Sequence, residues 1–209
     1  MTSPFQISDI IDTPSKLAIL RVLTLRPGLK ATGREIAKLS GYSVPSTHES
    51  LKDLQSRNIL TLEIIGKQHI YALNENDRIV QKIIRPMFKA ESGVKEEIRD
   101  FLLSEMKKAG VRKKLVSLIL YGSAQKGRAV KGSDVDIAVI LFQARDVARI
   151  TDLFASIIAP KFRGYFGVQL DVYVKSAADF RRRLKKNLPP VSTLIKSYSV
   201  LYGKEPLEV

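Results

Sequence analysis

The chain has 209 residues, 44% hydrophobic and 27% charged, with no cysteine; that is an ordinary globular composition, long enough for one large domain or two small ones, and it excludes disulfides and thiolate metal sites. No run approaches the roughly 18–20 apolar residues that span a bilayer, and residues 1–12 lack the basic-then-apolar order of a secretory signal, so a cytoplasmic protein with no membrane partner is expected. Basic residues number 35 against 21 acidic, a net +14, divided as +5 over residues 1–89 and +9 over residues 90–209; either both halves meet polyanions such as nucleic acid or a nucleoside triphosphate, or the charge serves solubility.

A first helix is predicted over residues 14–25. Thr13 can cap it, Pro14 suits its first position, and Leu17, Ile19, Leu20, Val22 and Leu23 form an apolar face. Arg26-Pro27-Gly28 stops it. Thr32-Gly33-Arg34-Glu35 has the capping-box order, hydroxyl first and Glu three residues later, and opens a short second helix. After the turn Ser40-Gly41-Tyr42, Ser43 can cap a third helix with Pro45 in its first turn and Leu51 and Leu54 facing inward. Two short helices across a tight glycine turn make a helix-turn-helix pattern. Residues 59–65 and 68–73, joined by Gly66-Lys67, read as a hairpin where a wing would sit.

This order of elements resembles the winged-helix domains of prokaryotic transcription regulators over residues 13–74. The resemblance implies that the third helix enters a DNA major groove, with Ser46, Thr47, His48, Ser50 and Lys52 as exposed candidates, and that Arg57 and Lys67 meet phosphates. It also implies a homodimer. The alternative is a docking module, since the reading helix carries only one Lys, Lys52, beside Glu49. His48 and His69, the only histidines, are far apart in sequence and receive no chemistry.

Residues 78–89, interrupted by Pro86, and residues 94–109, ending at Gly110, are predicted helices. A hinge is expected at Ala90-Glu91-Ser92-Gly93, with domains 1–89 and 90–209. Beyond it lie apolar strand runs at 115–121, 134–141 and 168–174, with helices at 145–158, 177–186 and 191–198: an α/β pattern. The first strand ends in Gly122-Ser123; ten residues later Asp134-Val135-Asp136 leads into the second. In a strand, residues two apart share a side, so Asp134 and Asp136 present two carboxylates together. Two like charges at the head of an apolar strand need a neutralising partner, and magnesium, a hard cation that prefers carboxylates and phosphates, suits them. Asp171, inside the third apolar run, is the expected third carboxylate.

Gly-Ser, ten residues, then Asp-x-Asp resembles the minimal nucleotidyltransferases of the polymerase-beta-like superfamily, over about residues 115–175. The fold implied for the whole chain is α+β in two domains, an N-terminal winged helix and a C-terminal nucleotidyltransferase domain with a small mixed sheet. The resemblance implies transfer of a nucleoside monophosphate, AMP from ATP foremost, to an acceptor hydroxyl. Asp134, Asp136 and Asp171 would be catalytic and would ligate two Mg2+ ions, and Asp171 would help deprotonate the acceptor. Gly122 would admit the triphosphate, with Ser123, Lys126 and Ser133 binding nucleotide. Many members carry Arg-Gly three residues beyond the Ser; here Lys126-Gly127 stands there, a point charge without the guanidinium fork. Acceptors to consider are RNA, a small molecule, or a protein such as a helical HEPN-class ribonuclease toxin, which would make the chain antitoxin-like. The competing reading is a DNA-binding regulator that senses nucleotide with a weak or inactive transferase domain; antibiotic modification ranks last. The basic run Arg181-Arg182-Arg183-Leu184-Lys185-Lys186 is either a binding face or a solvated helix face.

Overall fold

A computed structural model of the chain describes residues 7–122 and 134–209. It divides into two compact units, Met1–Gly93 and Val94–Val209. Among the described residues no helix is long and apolar enough to cross a membrane.

The first unit is a winged helix. Helix α1 (Pro14–Thr24) starts where the Thr13 hydroxyl accepts from the Lys16 amide. Helix α2 (Gly33–Ser40) opens with a complete capping box: Thr32 Oγ1 accepts from the Glu35 amide while the Glu35 carboxylate accepts from the Thr32 amide at 2.8 Å. It ends at Gly41, whose φ of 76° is the left-handed conformation glycine adopts without strain. Helix α3 (Val44–Ser56) is capped by Ser43. Strands β2 (Leu60–Ile65) and β3 (Gln68–Leu73) form the wing hairpin, and β3 also pairs with β1 (Ala31–Thr32), a two-residue strand too short to leave a periodic signal. Ile19, Leu20, Ile36, Leu51, Leu54 and Ile59 are wholly buried between these elements.

The expected hinge is helical: α4 (Arg85–Ser92) runs through Ala90, Glu91 and Ser92. Pro86 does not interrupt it, because one π-turn, Val80–Ile84, precedes it. The second unit repeats the device. Helix α6 (Val147–Leu153) passes through a π-turn, Phe154–Ile158, into α7 (Ala159–Phe166), with a proline at the start of that last segment. A widened turn accommodates the carbonyl and the missing N–H that a proline imposes on the preceding turn. The helix expected to stop at residue 158 therefore continues to Phe166.

The second unit is built on a mixed four-stranded sheet, order β6-β5-β4-β7, of β4 (Leu115–Tyr121), β5 (Val135–Leu141), β6 (Leu170–Ser176) and β7 (Tyr198–Gly203). β4 lies antiparallel to β5 and β7, and β5 parallel to β6. Alternate residues feed two cores. Leu118, Leu120, Ile137, Val139 and Leu141 meet α5 (Val94–Lys108), α6 and α7; on the other face Val116, Ile119, Ala138 and Ile140 meet Phe180 of α8 (Ala177–Lys185) and Val191 and Leu194 of α9 (Val191–Leu194). Phe154 and Phe162 are fully buried in the first core, where truncation to Ala costs about 3–5 kcal/mol. The last predicted helix is shorter than expected. It ends at Leu194, and the tyrosine-rich tail forms edge strand β7 instead, paired antiparallel with β4 through one register shift.

Candidate active site and winged-helix face

Three neighbouring strands deliver their ends to one row. Tyr121, the last residue of β4, lies opposite Asp136 of β5, and Asp136 lies beside Asp171 of β6. Tyr198 of β7 continues the row on the far side of Tyr121. Register partners point to the same face, so the two carboxylates and Tyr121 share one side of the sheet, with Asp136 central. Asp136 is half-buried and Asp171 exposed. Burial first, then the charges of Asp171 and Asp134, push the Asp136 carboxyl above its ordinary value. Burial, aided by Asp136 and Asp171, pushes the Tyr121 phenol up to about 12. Asp134 is exposed and stands just before β5.

Gly122 closes the row. Its φ is +75°, and a Cβ built there would stand 1.9 Å from Oδ2 and 2.8 Å from Cγ of Asp136. Nothing larger than a hydrogen fits between the turn and that carboxylate. Ser123, Lys126 and Ser133, like Gly127, Arg128 and Lys131, lie outside the described residues.

Asp136 and Asp171 are thus brought together, with Asp134 close enough to raise Asp136 electrostatically. Among the described residues no three carboxylate or imidazole groups are gathered as a ready ligand cluster. The donor set nonetheless fits a hard divalent cation: all oxygen ligands, side by side, with one carboxylate already disfavoured as an anion.

In the winged helix the expected reading residues separate. His48 and Lys52 are exposed. Thr47 is fully buried with its Oγ1 unpartnered, and Ser50 is buried with its hydroxyl 2.6 Å from that of Ser15. Both sit on the inner side of α3 with Leu51 and Leu54, so neither faces solvent, contrary to expectation. Ser46 is half-buried and lines a different hollow, beside Glu49 and Asp53. Arg57 is held by Asp53 at 2.9 Å. Lys67 stands at the wing tip, where a cleft of about 490 Å³ is lined by Arg34, His48, Lys67 and His69. The two histidines, remote in sequence, are therefore neighbours in this cleft. Sequence reasoning missed Arg34 and His69; the signal for Arg34 was its place in the first turn of a capped helix, and for His69 its place two residues beyond the wing turn.

Residues 95–191 match the family model of the nucleotidyltransferase domain. No curated protein sequence matches the chain. Among solved structures, a predicted DNA-binding transcriptional regulator from E. coli is similar at 15% identity and a TM-score of 0.34, over 42% of this chain and 84% of that one. A toxin-antitoxin structure with AMP-PNP is similar at 18% identity and a TM-score of 0.34, over 51% and 74%. The homodimeric winged helix-turn-helix DNA-binding domain of a possible ArsR-family regulator from Mycobacterium bovis is similar at 17% identity and a TM-score of 0.29, over 46% and 92%. Likenesses this distant add nothing to the functional reading.

Proposed function

We propose that the nucleotidyltransferase domain matched by residues 95–191 transfers a nucleoside monophosphate, AMP from ATP foremost, to an acceptor hydroxyl. The observation that carries this reading is the pairing of Asp136 with Asp171 across parallel strands, tight against a glycine that bars any side chain. In the reaction the acceptor oxygen bonds to the α-phosphorus, the bond from that phosphorus to the bridging oxygen breaks, and pyrophosphate leaves with the electron pair. Asp171, the more exposed carboxylate, receives the hydroxyl proton. Gly122 keeps the backbone open to the triphosphate. Asp134, Asp136 and Asp171 would hold magnesium, which when bound neutralises charge developing on the phosphates.

The test is nucleotide transfer. The purified protein, each α-labelled nucleoside triphosphate, magnesium and a cell lysate as acceptor source are incubated together. Label on an RNA or protein band, absent for Asp136→Asn, supports the enzyme and identifies the acceptor class. No label with any triphosphate would sink it.

A second reading rests on the other unit. Arg34, His48, Lys67 and His69 around one cleft supply a cationic, donor-rich face between the third helix and the wing. That favours DNA binding by the winged helix, through phosphate contacts from Arg34 and Lys67. It is compatible with transfer, or with a regulator that senses nucleotide. Electrophoretic shift of the protein's own upstream DNA at low salt, weakened in Arg34→Ala/Lys67→Ala, tests it; no shift at low salt overturns it.

A further inference from the structure

The segment from Lys107 to Lys114 carries five basic residues and no acidic one. Two are neutralised: Lys108 bonds Glu105 and Lys114 bonds Asp146. Lys107, Arg112 and Lys113 have no carboxylate partner among the described residues. These three, with Gly110 and Tyr202, line one cavity of about 390 Å³. The Arg112 guanidinium lies over the Tyr202 ring, 5.4 Å from its centroid, and Tyr202 is 37% exposed.

The sheet is built to turn that ring toward the cations. Val200 pairs with Ile119, but Tyr202 pairs with the very next residue back, Leu118, so Leu201 is an extra residue in β7. Such a bulge re-aims the side chains beyond it. Without it Tyr202 would share the face of Val200 and Ile119; with it, Tyr202 shares the face of Leu118, where the end of α5 and Arg112 lie. Just past the bulge β7 lies tight on β4: Gly203 has a φ of +88°, and a Cβ there would stand 2.0 Å from the Val116 carbonyl oxygen.

We infer that this cavity binds single-stranded nucleic acid, with phosphates on Lys107 and Lys113 and a base against the Tyr202–Arg112 pair. Unpaired cations around an aromatic surface are the combination that holds single strands, charge tracking the backbone and the ring taking a base. A concavity suits an unstacked base, whereas a duplex or an acidic protein needs only the charge. The site lies on the sheet face opposite the Asp136–Asp171 row, so it does not depend on the transferase reading.

The experiment uses the full chain with Arg34, His48 and Lys67 replaced by Ala, which removes the winged-helix face from the measurement. Anisotropy of a labelled eight-nucleotide oligouridine reports affinity across salt concentrations. Tyr202→Ala should weaken binding roughly tenfold, and Tyr202→Phe should stay within about twofold. Lys107→Ser/Lys113→Ser, which leaves β7 untouched, should lower the slope of log affinity against log salt by about 1.4. Photocrosslinking of 5-iodouridine should map to Tyr202. Unchanged affinity in every variant overturns the inference. So does a loss seen only on removing charge, with no crosslink at Tyr202, which would mean a general polyanion surface.

Discussion

The carboxylate of Asp136 occupies the space that any side chain on Gly122 would need: an added Cβ would lie 1.9 Å from Oδ2. Gly122→Ala therefore forces either the turn or the carboxylate aside, and the alanine must also adopt a φ near +75°. Misplacing a reacting group by an ångström costs on the order of 100-fold in rate. Nucleotide transfer by Gly122→Ala should fall by about that factor while the far-ultraviolet circular dichroism stays native. Full activity would mean that Asp136 need not hold its observed position.

Asp136 and Asp171 lie side by side, and the charge of Asp171 helps raise the Asp136 carboxyl. Like charges so placed destabilise the fold they serve, by about 0.2–1 kcal/mol. Asp136→Asn should abolish transfer and, in chelator at pH 7, raise the thermal midpoint of the second unit slightly. Magnesium should stabilise the native chain and leave the variant unmoved. A variant less stable than the native chain in chelator would show that the carboxylate is needed for packing.

Much of this was legible because local chemistry decided it. Thr13, Thr32 and Ser43 cap their helices as hydroxyls before helical runs do, and Gly41 ends α2. The strands β4, β5 and β6 followed from apolar runs and the mixed sheet from the resemblance to the minimal nucleotidyltransferases, and Asp171 stands on a strand next to that of Asp136. The failures share a cause: tertiary pairing does not show in local pattern. β7 exists because β4 offers it an edge, and β1 because β3 does. Pro86 lies within a helical run, and α6 continues into α7 through another proline, because π-turns precede them. The cleft that joins His48 to His69 needs the wing folded back toward α3.

Thr47 gives a test of the corrected winged-helix face. Its side chain is fully buried and its Oγ1 finds no hydrogen-bond partner. An unsatisfied buried hydroxyl costs about 1–3 kcal/mol. Thr47→Val keeps the shape and removes the hydroxyl, so amide-exchange protection in α3 should rise and polyanion binding should be unaffected. Loss of binding in Thr47→Val, with stability unchanged, would return Thr47 to the reading surface.

The buried ammonium of Lys16 ties α1 to α3. Lys16 is 5% exposed and sits 2.8 Å from Asp12 and 2.6 Å from Asp53. Burial draws the ammonium down, but the hydrogen bonds it donates to Asp12 and Asp53 outweigh it and leave Lys16 above its ordinary value. The Lys16 hydrogen bond, then that of Arg57, holds Asp53 below the usual carboxylate range, and the Lys16 hydrogen bond does the same for Asp12. For the depressed carboxylates, the folded state gains stability above the unfolded value of about 3.9, and that gain is lost as pH falls through the lower folded values. For the raised lysine, the gain is complete below about 10.4 and is lost as pH rises through the higher folded value. The cluster therefore works throughout the neutral range and fails at both extremes. Lys16→Met keeps the stem and removes the charge. Amide-exchange protection of α1 and α3 should be lower than native at pH 7, by about 1–2 kcal/mol because Asp12 and Asp53 remain partly solvated. The gap should close as pH falls through the lowered folded values of Asp12 and Asp53, where the carboxylates lose their charge. A gap that stays constant from pH 7 to that point would mean that packing of the lysine stem, not its charge, holds the two helices together.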